Sequence, residues 1–157
     1  MKRPSRTWEH ALGGFLRIWR VMDKREINER YAEIGMELIK TEDALVDILN
    51  SHATIIYLSS EHKKTSNGKI IHAECEKVSE KYKWGIPCDF TITVFEPNVE
   101  GMTDDQIRIL LFHELLHVGI TFNSDGTESY SINPHDLEDF KLIIDRFGTE
   151  WSRHGND

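Results

Sequence analysis

Residues 103–119 read Thr103-Asp104-Asp105-Gln106-Ile107-Arg108-Ile109-Leu110-Leu111-Phe112-His113-Glu114-Leu115-Leu116-His117-Val118-Gly119. Thr103 with Gln106 three positions on is a capping box: the hydroxyl accepts the N3 amide and the glutamine reaches back to the N-cap amide. Asp104 and Asp105 fall in the first turn, where the helix dipole favours negative charge. Ile107, Leu110, Leu111, Leu115 and Val118 recur at helical spacing, and Gly119 is the expected end of the helix. Inside it, His113-Glu114-Leu115-Leu116-His117 is an HExxH pattern. Residues four apart share one face of an α-helix, so both imidazoles can reach one metal ion, while Glu114 enters the same site without binding the ion. A catalytic zinc takes three protein ligands and keeps one position for water, whose proton a neighbouring carboxylate can accept.

The third ligand has to come from downstream. Positions 120 and 123 hold Ile120 and Asn123, which excludes the glycine and histidine of the extended metzincin pattern. Glu138 lies twenty-one residues past His117 and fits gluzincin spacing. His135 lies eighteen past it, in the expected first turn of a last helix, with Asp136 beside it as a carboxylate able to orient the ring. His135 and Glu138 are both candidate third ligands. The last helix is read from Asn133 as its cap and Pro134 at its first position, with Leu137, Phe140, Ile144 and Phe147 as the apolar stripe and Gly148 as the stop.

Upstream, Glu26 to Leu49 has helical composition, with Ile27, Tyr31, Ile34, Leu38, Leu45, Ile48 and Leu49 at helical intervals and Thr41 as cap of a second segment. Ala53–Leu58 reads as a buried strand, Ser66-Asn67-Gly68 as a hairpin turn and Ile70–Val78 as the return. Phe90–Phe95 alternates Phe90, Ile92 and Val94 with threonines, and Pro97 stops it. The order predicts an α+β domain with a small, mostly antiparallel sheet. Tyr130 is a candidate hydroxyl donor to an oxyanion. His10, His72 and His154 have no partner at metal spacing and read as surface residues.

Residues 1–21 differ in character: Lys2, Arg3, Arg6, Arg17 and Arg20 against Glu9 make them basic, and Trp8, Leu12, Phe15, Leu16 and Trp19 recur at helical spacing around Gly13-Gly14. They are read as an amphipathic extension, a surface or contact helix, and residues 22–157 as the domain. The chain has 157 residues, enough for one domain, and 39% are hydrophobic. Its formal charge of −8 argues against a nucleic-acid partner, which wants a basic face. The longest apolar run, Ile109–Phe112, is far too short to span a bilayer. Cys75 and Cys88 are expected to be free thiols in a reducing cytosol, and the absence of a secretory signal points to the cytoplasm.

His113-Glu114-Leu115-Leu116-His117-Val118-Gly119, followed by Pro134-His135-Asp136-Leu137-Glu138-Asp139-Phe140, resembles the phage metallopeptidase family of phages and prophages. Asp89-Phe90-Thr91-Ile92, shortly after Lys77-Val78-Ser79, belongs to the same similarity, which spans about residues 30–150. The resemblance implies a zincin-like fold, zinc held by His113, His117 and His135, Glu114 as general base, and a peptide or protein substrate in the cytoplasm of a bacterial host. It also implies an extended substrate joining a sheet edge as an added strand, for which Phe90–Phe95, leading directly into the HExxH helix, is the candidate. SprT-like proteases share this logic more distantly, and the acidic charge weakens their DNA-associated role for this chain. The rival class is a non-catalytic phage protein, stabilised by the same metal and binding a host factor. A closed site, with Glu138 or Asp136 in the fourth position, would mark it.

Overall fold

The computed structural model describes residues 23–136 and 139–153. The extension read over residues 1–21, with His10, therefore lies outside the described residues, as do Leu137, Glu138 and His154. In chain order the elements are β1 (Arg25–Ile27), α1 (Glu29–Thr41), a 3₁₀ turn (Asp43–Leu45), α2 (Val46–Asn50), β2 (Ile55–Ser60), β3 (Thr65–Ser66), β4 (Lys69–Ile70) and β5 (Ala73–Lys77). After the 3₁₀ turn Glu80–Tyr82 come β6 (Phe90–Phe95), α3 (Glu96–Val99), α4 (Asp104–Leu116), β7 (Val118–Phe122), β8 (Glu128–Ile132) and α5 (Lys141–Phe147). The class is α+β, as expected.

The main sheet has the order β1-β2-β6-β5, antiparallel at both outer pairs and parallel between β2 and β6. Strand β6 has the bounds the sequence predicts, but it is not an edge: Ile92 pairs with Tyr57 of β2 on one side and Cys75 of β5 on the other. That corrects the expected edge position: among the described residues the outer strands of the sheet are β1 and β5. The physical reason is visible in β6 itself, where Phe90, Ile92, Thr93, Val94 and Phe95 are all fully buried. A strand covered on both faces and paired on both sides reads as near-continuous apolar sequence. Tyr57, Phe90, Ile92 and Val94 join Tyr31 and Leu38 of α1 and Leu111 and Leu115 of α4 in one core. Each such buried side chain contributes about 1.5–3 kcal/mol.

On the other face, Arg25 of β1 donates to Thr93 Oγ1 at 2.8 Å, Glu74 at 2.9 Å and Glu76 at 3.0 Å, and its guanidinium lies 5.8 Å from the Phe95 ring centre. This satisfies the buried threonine hydroxyl. It also explains why Arg25–Ile27 is a strand rather than the start of a helix. Ile27 is 71% exposed, and Asn28 caps α1 by accepting the Tyr31 amide at 3.0 Å. The Asn67-Gly68 turn forms as expected, with φ of 50° and 75°, the pair of left-handed residues that a tight hairpin requires. The return strand is split, because Asn98 donates to the carbonyls of Lys64 and Ile71 at 2.9 and 2.7 Å and holds the chain between β4 and β5.

Helix α4 starts at the expected capping box, Thr103 Oγ1 accepting the Gln106 amide at 3.2 Å and Gln106 Oε1 the Thr103 amide at 2.8 Å. Its end is earlier than expected. The helix stops at Leu116 and the chain turns at once into β7, paired with β8. Gly119 is therefore not a helix stop but a strand residue in close contact. A Cβ there would lie 2.4 Å from Ser131 Oγ, 2.7 Å from Asn133 Oδ1 and 2.9 Å from the Ser131 carbonyl oxygen. The carbonyl belongs to the hairpin backbone and cannot rotate away. Gly119→Ala is expected to cost about 1–3 kcal/mol, a fall in Tm of roughly 2–12 °C by differential scanning calorimetry. An unchanged Tm would mean that the hairpin yields freely.

The last helix also starts later than predicted, at Lys141. Asn133 is not its cap: its side-chain amide donates to the carbonyls of Leu116 and Val118 at 3.1 and 3.3 Å. Its backbone amide donates to the His117 carbonyl at 2.7 Å. These bonds satisfy carbonyls that the end of α4 would otherwise leave unpaired. Phe140 and Ile143 are the buried residues at the front of α5, Phe147 is exposed, and Gly148 ends the helix at φ 79°.

Candidate metal centre

Two elements bring the imidazoles together. His113 lies in the last turn of α4 and His117 is its C-cap, while His135 lies in the loop after β8, not in a helical turn. That loop is fixed at one end by Asn133 on α4 and at the other by Asp136, whose Oδ2 accepts the Lys141 amide at 3.3 Å. Asp136 thus holds the start of α5, while its charge also acts on the His135 ring. Candidate ligand atoms of His113, His117 and His135 all lie within 4.8 Å of one another, and His113 Nε2 is 3.0 Å from His135 Nε2. Phe140 lies under all three rings, at centroid distances of 5.3, 4.8 and 5.3 Å from His113, His117 and His135.

The far nitrogens of the helix histidines are occupied. His117 Nδ1 is 2.6 Å from the Asn133 carbonyl oxygen. A carbonyl only accepts, so Nδ1 carries the proton and Nε2 keeps its lone pair. His113 Nδ1 lies 2.6 Å from Asp139 Oδ1, an ion-pair contact rather than an aligned hydrogen bond. Both contacts turn Nε2 toward the shared space, the arrangement in which metal-binding histidines are held. Burial and the neighbouring imidazoles lower the pKa of His117, and burial together with His113 lowers that of His135. For His113 burial acts downward, but Asp139 and Glu114 outweigh it and raise the pKa.

Glu114 points to the same place and is only 4% exposed. Burial, with Glu74 and Asp139 adding to it against His113, pushes its carboxyl up to about 7. The residues open onto a cleft of about 500 Å³, with Glu114 and the three histidines on one side and residues 69–75, including edge strand β5, on the other. His72, expected on the plain surface, lines this cleft. Cys75 lines it too, and burial keeps its thiol well above its usual pKa; both described cysteines are free. Tyr130 does not serve as the oxyanion donor read from the sequence: its hydroxyl donates to Glu128 at 2.9 Å and its ring packs on Phe90.

The sequence model of the family described as "putative phage metallopeptidase" matches residues 23–157. The chain belongs to that family. Comparisons of this phage metallopeptidase-family chain with curated proteins and with solved structures found no match. The family implies a metal, and the donor set fits one. Tetrahedral zinc with Zn–N bonds of about 2.0–2.1 Å sets its nitrogen ligands roughly 3.3 Å apart; here the Nε2 atoms of His113 and His135 are 3.0 Å apart and the whole set lies within 4.8 Å. Three converging imidazoles suit zinc and other borderline divalent metals. Asp139, against His113 Nδ1, is the residue of the candidate site that the sequence does not point to. Its only signal is its place in the His135-to-Phe140 segment. No helix among the described residues is long and apolar enough to cross a membrane.

Proposed function

We propose that this chain is a zinc-dependent peptidase of the phage type, with His113, His117 and His135 as the metal ligands and Glu114 as general base. The observation that carries the reading is a buried carboxyl, near neutral in pKa, beside three converging imidazoles on an open cleft. The metal, when bound, supplies a Lewis acid that polarises a carbonyl and lowers the pKa of water. Glu114 takes a proton from the attacking water on a carboxylate oxygen and returns it to the leaving amine. Its raised pKa favours that double role, since an acid–base group works best with a pKa near the working pH. Asn133 and Asp139 keep the helix histidines turned toward the site. The β5 edge, Ala73–Lys77, binds the substrate as an added extended strand through main-chain hydrogen bonds. A peptide or protein substrate in the cytoplasm of a bacterial host accords with the family.

The test is elemental mass spectrometry on protein purified without chelator or histidine tag, followed by a peptide-library digest. Near one zinc per chain, and hydrolysis that a chelator removes and zinc restores, is the expected result. A folded chain that stays metal-free with zinc supplied overturns the proposal.

A further inference from the structure

Gln106 of the capping box uses both ends of its carboxamide. Oε1 accepts the Thr103 amide at 2.8 Å, and Nε2 donates to the carbonyls of Trp151 at 2.9 Å and Arg153 at 3.0 Å. The chain after α5 is thereby tied back to the first turn of α4. Trp151, held there, donates its indole N–H to Asp139 Oδ2 at 3.0 Å, while Asp139 Oδ1 accepts the Phe140 amide at 2.7 Å and faces His113 Nδ1 at 2.6 Å. The Trp151 ring stands 6.3 Å from that of His113, on the wall of the cleft. Gln106 and His113 are seven residues apart, two turns and about 10 Å along one face of the helix. Residues 139–153 thus brace the metal helix from outside, from its cap to its first histidine.

We infer that Trp151 is a positioning residue for the metal centre, its indole N–H, seated by Gln106, fixing the Asp139 carboxylate on His113. The inference rests on His113 being a metal ligand. An aspartate carboxylate turns freely about its last bond. With the Phe140 amide and His113 both on Oδ1, the indole donor on Oδ2 fixes the remaining freedom. Metal affinity then depends on how the chain after α5 docks on the first turn of α4, a site that touches no ligand.

The test is zinc affinity, measured by competition with a chromophoric chelator on the full chain. Loss of a partner behind a metal-binding histidine weakens binding about 10–100-fold, so Asp139→Asn is expected in that range. Trp151→Phe, which keeps an aromatic ring and removes the N–H, is expected to weaken it by up to about tenfold. In the double variant the donor has no charged acceptor to hold, so affinity is expected to equal that of Asp139→Asn alone. Gln106→Glu keeps an oxygen for the Thr103 amide but sets a carboxylate against two carbonyls. It is expected to match Trp151→Phe with the helix cap intact. The visible spectrum of the cobalt-substituted protein should change in Trp151→Phe, which a change in fold stability alone would not produce.

Zinc binding that is unchanged in Trp151→Phe and Gln106→Glu, or Asp139→Asn and Trp151→Phe effects that multiply, overturns this inference and leaves the metal site standing. If Trp151→Phe fails to fold, the affinity of Gln106→Glu decides: weaker binding supports the inference and unchanged binding overturns it. An unaltered chain that binds no zinc overturns the metal reading and this inference with it.

Discussion

Glu114→Gln is expected to abolish peptide hydrolysis while the zinc content stays near one per chain. Glutamine has the size of glutamate and no role among the ligands, so His113, His117 and His135 keep their geometry. What disappears is the group that accepts a proton, and loss of a positioned general base typically costs about 10²–10⁴-fold in rate. Initial rates on the best library peptide, with metal content measured on the same samples, make the check. Turnover equal to that of the unaltered chain would move the proton transfer to another residue.

The same substitution has a second readout that needs no substrate. Burial raises the Glu114 pKa to about 7, above its ordinary value near 4.5. The folded chain therefore holds this proton more tightly than the unfolded chain does. The stability it contributes to metal-free protein is complete below about pH 4.5 and is lost as the pH rises through 7. Glutamine has no charge to bury at any pH. Metal-free Glu114→Gln should match the unaltered chain near pH 4 and exceed its Tm by several degrees at pH 8. A difference that is flat from pH 4 to 8 would mean the carboxyl is not held in that environment.

The parts of the fold that are legible in the sequence are those encoded by neighbours along the chain. Thr103 and Gln106 satisfy each other within one turn, Asn67-Gly68 supplies its own turn geometry, and the buried β6 announces itself by composition. The parts that are not legible are decided across the fold. β1 is a strand because Arg25 reaches Thr93, Glu74 and Glu76, residues forty-nine to sixty-eight positions away. Asn133-Pro134 carries the local marks of a helix start, yet the Asn133 amide is taken up by the carbonyls at the end of α4. Gly119 looks like a helix stop and is instead the small residue that lets β7 approach Ser131. In the candidate site, the spacing of His113 and His117 implies a shared helix face, whereas Asp139 meets His113 across twenty-six residues and Phe140 meets all three rings only after the loop folds back.

His135→Ala is expected to weaken zinc binding by more than about 100-fold, beyond the range for losing a partner behind a ligand. The reason is geometric. His113 and His117 belong to one helix end and converge whether or not the downstream loop is seated. The third nitrogen depends on that loop, and His135 Nε2 lies 3.0 Å from His113 Nε2. Asn133 on one flank and Asp136 on the other anchor the loop independently of the His135 ring. The alanine variant should therefore keep the fold and lose the ligand, with a metal-free Tm close to that of the unaltered chain. Glu138→Gln, the substitution at the rival position, should leave zinc affinity within about twofold, because it removes no nitrogen from the cluster. Chelator competition on the two variants side by side decides between the ligand sets. Strong loss in Glu138→Gln with none in His135→Ala would give the site a carboxylate as third ligand, a gluzincin arrangement, and would leave the His135 imidazole beside a metal it does not bind.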